Sequence, residues 1–356
     1  PITDEVGRFT GILTKRDMLF EHDFTKEINE VMTKKQDAVV ADFGIDIEQA
    51  KKILKENKIE KLPLIDKNGM LKGLITTKDL LLNDQYPLAL KDKKGRLLVG
   101  AAIGVKDDFI QRTESLIDAD VNCLLIDIAH AHSVHTLEAI KAIRDRFGDV
   151  NLIVGNVATG QATEDLINAG ADAIKIGIGP GSTCITRLVA GAGYPQFSAV
   201  QNCAKVAREY DIPVIADGGI GGIPGNFTKA IGAGASVVMR SRSLAGTDES
   251  PGMTILRNGK KYKIYRGSAS FGANMSRKER MNQKIDLDYD AEGVEALIPY
   301  SGSVHDILKP FIAGLRSGMS YAGAQTIKEF WEKAEFVRLT QSGIQESKVH
   351  DVEEIK

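Results

Sequence analysis

Cys184 stands in the stretch GIGPGSTCITR (177–187), behind three glycines and a proline and two residues ahead of Thr186. Glycines allow a backbone to approach a ligand closely and to adopt positive φ. Successive loop N–H groups can hold a phosphate, and loop carbonyls can hold a cation. A cysteine in such a loop has ligand access and nearby dipoles, which suits a nucleophile. The other reading of the same residues is a turn around a buried thiol. The chain has only two further cysteines. Cys123 in VNCLLIDIA and Cys203 in a helix-like run both read as buried and inert.

Two more stretches carry chemistry. IADGGIGG (215–222) places Asp217 at a strand end and Gly218–Gly219 at the start of a loop. A carboxylate beside a glycine pair suits ribose hydroxyls with a phosphate adjacent; the bland reading is a glycine-rich turn. AHAHSVH (129–135) brings His130, His132 and His135 together after LLIDI. A metal site would need three or four suitable ligands, and no cysteine or second histidine cluster supports one. Loop histidines beside a nucleotide, with Asp127 as the functional candidate, are the preferred reading.

The elements that position these residues follow from periodicity. Apolar runs occur at 97–104, 122–129, 151–158, 173–179, 213–219 and 236–242, separated by helical patterns such as SAVQNCAKVAREY. Continuous apolar strands alternating with helices indicate a parallel sheet covered on both faces. The runs end in Asp127 and His130, in Asn156, in Gly177 and Gly179, and in Asp217 to Gly219. Polar and glycine residues at most strand ends fit a (β/α)₈ TIM barrel, whose site is built at the C-terminal strand ends. An open sheet would concentrate its site at one switch point. Six units are countable where a barrel has eight, and the expectation is that two more precede Pro1.

The N-terminal part repeats itself. PITDEVGRFTGILTKRDML (1–19) matches PLIDKNGMLKGLITTKDLL (63–81) without a gap, Asp4, Gly7, Gly11, Thr14 and Asp17 recurring as Asp66, Gly69, Gly73, Thr76 and Asp79. Each copy reads as strand, Asp-x-x-Gly turn, strand and a helix capped by Thr-x-x-Asp. Ahead of the second copy, Ile47, Ala50, Ile53 and Leu54 form an apolar helix face. The copies resemble CBS domains, tandem modules that commonly bind purine nucleotides and regulate an attached enzyme; a structural appendage without a ligand is the other reading. The boundaries read as a partial first CBS domain over 1–28, a second over 29–83, a linker over 84–96 and a barrel over 97–356 with a flap at about 266–300. The partial first copy suggests an N-terminally truncated piece of a longer protein.

Composition excludes several classes. The formal net charge of −2 gives no electrostatic case for nucleic acid or a membrane surface. No apolar run is long enough for a membrane span, and no signal peptide opens the chain. An odd cysteine count without CxxC spacing points to a reducing, cytoplasmic setting.

Taken together, GIGPGSTCITR, IADGGI, DIAHAHS, SGMSYAGA (317–324) and ESKVHDV (346–352) resemble the IMP dehydrogenase family. The resemblance implies NAD-dependent oxidation of IMP to XMP in guanine nucleotide biosynthesis. Cys184 would attack C2 of the purine, Thr186 would position or activate water, and Glu292 could accept the purine N1 hydrogen. Ser182, Gly218 and Gly219 would meet the phosphate and Asp217 the ribose. Tyr265, Gly267, Ser268 and Glu292 match nucleotide and base contacts. Asp127, Asn156 and Gly177 are the cofactor candidates. K⁺ would be held by carbonyls of Gly179, Gly181 and Cys184, with Glu346 and Ser347 of a neighbouring subunit's tail, in a homotetramer. The pattern departs from the family in places. Ser241 and Arg242 stand where Gly-Ser is usual after the last strand, and Ser268–Ala269 replaces Met-Gly. Gly221 and Asn226 replace an Arg and an Asp. The flap has no adjacent Arg-Tyr, leaving Arg277, Arg280 and Tyr289 as candidates for activating water. The alternatives are a GMP reductase, which shares the cysteine and the Thr-Glu pair but uses NADPH, and a non-catalytic nucleotide-sensing relative.

Overall fold

Both Asp-x-x-Gly turns of the repeat form the same hydrogen bonds in a computed structural model of the chain, which describes residues 1–352 except Lys94, Asp107 and 281–289. Asp4 Oδ1 accepts from the amides of Val6 and Arg8, and Asp66 Oδ1 from those of Asn68 and Met70. An aspartate that satisfies its own turn amides makes such a turn locally encoded. The chain divides into two compact units, Pro1–Leu98 and Val99–Lys356.

In the first unit, β1 (Ile2–Thr3), β2 (Phe9–Ile12) and β3 (Thr33–Lys34) form one antiparallel sheet, with α1 (Ile28–Val31) leading into β3. A second sheet holds β4 (Ala41–Asp42), β5 (Lys61–Ile65) and β6 (Leu71–Thr76), with α2 (Ile47–Asn57) and α3 (Thr77–Gln85) beside it. The two turns dock reciprocally: the Phe9 amide donates to Gly69 O at 3.0 Å and the Leu71 amide to Gly7 O at 3.1 Å. These residues exchange places under the repeat, so the copies meet about a local pseudo-two-fold axis at the Arg8–Met70 bridge.

The copies differ after their second strand. Thr76 and Asp79 form a reciprocal capping box and α3 follows, burying Leu80. Thr14 and Asp17 make the matching bonds, both 2.6 Å, yet 15–20 are turns and not the expected helix. The physical reason is packing: Met18, Leu19 and Phe20 are all exposed, and a short helix without a buried face is not stable on its cap alone. Of the apolar face expected on α2, Ala50 and Leu54 are buried while Ile47, in the first turn, stays exposed.

The second unit carries all six expected parallel strands: β7 (Gly100–Ile103), β8 (Cys123–Asp127), β9 (Leu152–Val157), β10 (Ala173–Ile176), β11 (Val214–Asp217) and β12 (Val237–Met239). Each pairs with the next, in the order β12-β11-β10-β9-β8-β7. There is no topological switch point, which sets this sheet apart from a doubly wound one and matches an arc of a (β/α) barrel. The longer connecting helices are α4 (Phe109–Asp118), α5 (Val134–Phe147), α6 (Gly160–Ala169), α8 (Gln196–Glu209) and α9 (Pro224–Gly232), with short α7 (Thr186–Val189) and α10 (Arg242–Ala245) at the loops after β10 and β12. Leu124, Ile126, Leu152, Val154, Ile174 and Ile176 from the sheet are fully buried with Ile140, Leu166 and Val200 from the helices.

An antiparallel sheet of β13 (Thr254–Arg257), β14 (Lys260–Arg266) and β15 (Glu295–Pro299) follows, interrupted by α11 (Phe271–Arg280). Much of the expected flap is therefore regular structure; its residues 281–289, Tyr289 among them, lie outside the described residues. The chain continues through α12 (Val304–Tyr321), α13 (Ile327–Lys333) and α14 (Gln341–Glu346). Among the described residues no helix is long and apolar enough to cross a membrane.

The capping contrast yields a prediction. Thr76→Ala removes the cap acceptor and costs α3 about 1 kcal/mol. Hydrogen exchange should speed up at the amides of 77–85 and stay unchanged in β8; equal exchange in variant and wild type would refute the cap's role.

Candidate active site

The loop after β10 turns back so that Thr183 to Ile185 pair with the segment ahead of β15. The Ile185 amide donates to Glu292 O at 2.8 Å, the Val294 amide to Thr183 O at 3.0 Å, and Cys184 bridges Gly293. This pairing sets three side chains in a line. The Cys184 thiol donates to Thr186 Oγ1 at 3.2 Å, and that hydroxyl donates to Glu292 Oε2 at 2.7 Å. A carboxylate accepting from the hydroxyl makes its oxygen a better acceptor for the thiol proton, the usual logic of an activated nucleophile. The three expected catalytic residues are thus in one hydrogen-bonded chain, although 106 positions separate Thr186 from Glu292.

The other thiols differ. Cys203 is fully buried in α8, and burial pushes its thiol up to about 11 against the opposing hydrogen bond with Thr163. Cys123 is half-buried rather than buried as expected, because it opens β8 at the sheet's far end; burial raises its thiol as well. Cys184 is half-buried in its loop at the C-terminal strand ends.

Beside this loop lies the turn after β11. Gly218 and Gly219 both have positive φ, 78° and 74°. A Cβ on Gly218 would come 3.4 Å from the Gly181 amide and one on Gly219 2.8 Å from Gln196 Cβ, so glycine lets the two loops close on each other. Gln196 joins them, donating from Nε2 to Ile176 O at 2.9 Å and Asp217 O at 3.1 Å. Ser182 is exposed at the tip of the Cys184 loop.

A polar network underlies both loops. Asn156 donates to Gly177 O at 2.6 Å and to Asp217 Oδ2 at 3.0 Å, so its amide is committed within the protein. Lys175, inside β10, is the residue that sequence reasoning missed. Its Nζ lies 2.6 Å from Asp217 Oδ2 and 2.9 Å from Asp127 Oδ1, and it also donates to Asn156 Oδ1. The available signal was a charged residue within the apolar run AIKI. The side chains of Asp127 and Asp217 remain 43% and 24% exposed, so both carboxylates reach the open face.

At the far end of the site, Tyr265 Oη donates to Ser241 Oγ at 2.8 Å, joining two expected substrate residues, while Arg242 is exposed at the start of α10. Arg240, which was not singled out, donates from Nη2 to Gly221 O and from Nε to Ser243 Oγ, each at 3.0 Å, and stacks 3.2 Å above the Phe311 ring. Burial lowers its guanidinium below the ordinary value. The Gly267 amide donates to Val294 O at 3.1 Å, beside exposed Ser268. Arg277 and Arg280 are exposed on α11. Gly179 has a φ of 80° and packs against Arg187, and Gly181 O accepts from the Cys184 amide at 3.1 Å. Glu346 and Ser347 are exposed at the end of α14, where Ser347 Oγ donates to Gly343 O. His132 bonds Asp165 at 2.7 Å and lowers that carboxyl, helped by Gln161. Among the described residues no His, Cys, Asp and Glu side chains gather as metal ligands.

Comparison with known proteins settles the family. The IMP dehydrogenase / GMP reductase domain family matches residues 12–350. The chain belongs to that family. It is 49% identical over 356 residues to an inosine-5'-monophosphate dehydrogenase of Nitrosopumilus maritimus, covering 99% of this chain and 74% of that protein. The corresponding enzyme of Aquifex aeolicus is 48% identical, covering 99% and 72%. Among solved structures, a GMP reductase of Trypanosoma brucei in complex with guanosine 5'-monophosphate superposes with a TM-score of 0.88 at 42% identity, covering 99% and 73%.

The thiol environments predict selective labelling. With its pKa at about 11, Cys203 is thiolate in only about one molecule in a thousand at about pH 8. Limited iodoacetamide should modify Cys184 first, read by peptide mass spectrometry, with Cys203 reacting only after unfolding. Labelling of Cys203 as fast as Cys184 in the native protein would refute this ordering.

Proposed function

We propose that the protein is an IMP dehydrogenase, oxidising IMP to XMP with NAD through a covalent intermediate on Cys184. The observation that carries the reading is the Cys184–Thr186–Glu292 line at the strand ends. The identity of 45% to 49% with curated dehydrogenases over nearly the whole chain supports it. The chain is an oxidoreductase of this family.

In the proposed reaction the Cys184 sulfur adds to C2 of the purine as its proton passes toward Thr186 and Glu292. NAD supplies the hydride acceptor for C2. Water then displaces the sulfur from the resulting thioimidate, giving XMP and the free thiol. Thr186, between sulfur and carboxylate, is the group placed to orient that water and pass its proton to Glu292. Asp217 is assigned to the ribose of IMP, Gly218, Gly219 and Ser182 to its phosphate, and Tyr265 to the same end through Ser241. Arg242 is a phosphate partner in place of backbone donors. Asp127 is assigned to the cofactor, with an exposed carboxylate suited to a ribose diol. Arg277 and Arg280 remain proposals for activating water.

The carbonyls of Gly179, Gly181 and Cys184 are proposed to hold K⁺. The donor set fits: neutral carbonyl oxygens suit a monovalent ion, and Gly181 O keeps a lone pair beyond its bond from the Cys184 amide. Glu346 and Ser347 would complete the site from a neighbouring subunit in a tetramer. The repeat in the first unit is proposed as a CBS pair that takes purine nucleotides. The second reading, a GMP reductase using NADPH, is favoured by the T. brucei structure and by the lack of an Arg-Tyr pair in the flap stretch MSRKERMNQKIDLDYDAEG.

Three experiments test these assignments. The full-length gene product should produce NADH from IMP and NAD and give no turnover of GMP with NADPH; the reverse result selects the reductase, and the chain from Pro1 alone is expected to be inactive. Cys184→Ala should lose at least about a thousandfold in kcat with an unchanged melting temperature, and normal turnover in that variant would remove the covalent mechanism. Replacing a large organic cation by potassium at constant ionic strength should raise the rate, whereas a flat response would count against the carbonyl site.

A further inference from the structure

We infer that Lys175 is a positioning residue that ties Asp217, on the nucleotide side of the site, to Asp127, on the cofactor side, so that a change in one subsite is felt in the other. The naming of the two sides rests on the function proposed above.

Lys175 lies within β10, all four of whose residues are buried, and its side chain is 2% exposed. Its ammonium donates to Asn156 of β9 and Asp217 of β11 and forms an ion pair at 2.9 Å with Asp127 of β8, so groups from three different strands meet it. The link to β8 crosses a whole strand. In register, Gly155 stands opposite both Asp127 and Lys175. A Cβ on residue 155 would lie 2.5 Å from Lys175 Cβ and 2.7 Å from Lys175 O. Glycine at that position keeps open the passage through which the lysine reaches Asp127.

The cluster is built toward the open face. Asp217 uses Oδ2 for both Lys175 and Asn156, and Asp127 uses Oδ1 for Lys175. Among the described residues, Asp217 Oδ1 and Asp127 Oδ2 take no protein partner, so each carboxylate keeps one oxygen for a ligand hydroxyl. One ammonium against two carboxylates leaves a net negative charge at the face. A lysine serving packing alone would need one counter-ion, and an apolar side chain would suit the strand at lower desolvation cost. Sharing the ammonium has a consequence. Removing the charge of Asp127 commits Lys175 wholly to Asp217, which then accepts more weakly from ribose hydroxyls.

The test uses the full chain. Binding of IMP without cofactor is measured by calorimetry for wild type and Asp127→Asn; the inference expects binding weakened by at least about threefold, although Asp127 sits on the cofactor side. In steady state, Lys175→Met should raise KM for both IMP and NAD by at least about tenfold, with Lys175→Arg restoring part of the loss. A merely structural lysine would lower melting temperature and active fraction without moving either KM. Unchanged IMP affinity in Asp127→Asn, or unchanged KM values in Lys175→Met, overturns the inference. Should Lys175→Met not fold, the Asp127→Asn binding result decides alone, since that side chain is half-exposed. A wild type that neither binds nor oxidises IMP refutes the proposed function instead, and the same cross-effect is then decided with GMP as the nucleotide.

Discussion

An ammonium group enters an apolar strand only if anions and dipoles come with it, because an unpaired buried charge is far more costly than the packing it replaces. That requirement organises the second unit. Lys175 draws the ends of β8, β9 and β11 around β10 through Asp127, Asn156 and Asp217. Asn156, held by the lysine, spends its amide on Gly177 O, the first carbonyl after β10. The start of the Cys184 loop is therefore set by the same charge that sets the two carboxylates. Gln196 reinforces the arrangement from the other side by holding Ile176 O and Asp217 O together.

From that anchored start, the loop needs only a few backbone contacts to place Cys184. Pairing of 183–185 with 292–294 does so, and in the same step delivers Glu292 to Thr186. The parallel strands supply rigidity and the loops supply chemistry, the division expected of a barrel face. The environments of the three thiols follow from this division. Cys203, packed in a helix against the sheet, is held protonated by burial, whereas Cys184 sits where a ligand can reach it.

What the sequence made legible was what is local. The six apolar runs are strands, largely buried in the four inner ones and open at the edge strands β7 and β12, and the Asp-x-x-Gly turns form because the aspartate bonds its own neighbours. Cys184 stands out by its glycine loop, with Thr186 two residues on, although the role of Thr186 comes from the family resemblance. Glu292 came from family resemblance alone, since nothing at positions near it announces a partner 106 residues away. Lys175 escaped because its meaning lies in three strands at once; within AIKI it is a single charge in an apolar run. The helix expected after Thr14–Asp17 failed for a related reason. Its cap is local and present, but the buried face that would have stabilised the helix is a tertiary property, and Met18, Leu19 and Phe20 have none.

The loop after β12 shows how a departure from the expected pattern can be absorbed. Where Gly-Ser is usual, Ser241 and Arg242 stand, and Ser241 is taken up by the Tyr265 hydroxyl. The neighbouring Arg240 spans the gap to the glycine turn after β11, binding Gly221 O while its planar guanidinium rests on Phe311 of α12. A stacked guanidinium keeps its in-plane donors directed while burying its faces. The loops after β11 and β12 are thus joined by one long side chain in addition to the backbone bond from the Gly218 amide to Met239 O at 3.3 Å. The glycines at 218 and 219 remain free to close on the Cys184 loop, and Ser241 and Arg242 stand apart from the line that runs from Cys184 to Glu292.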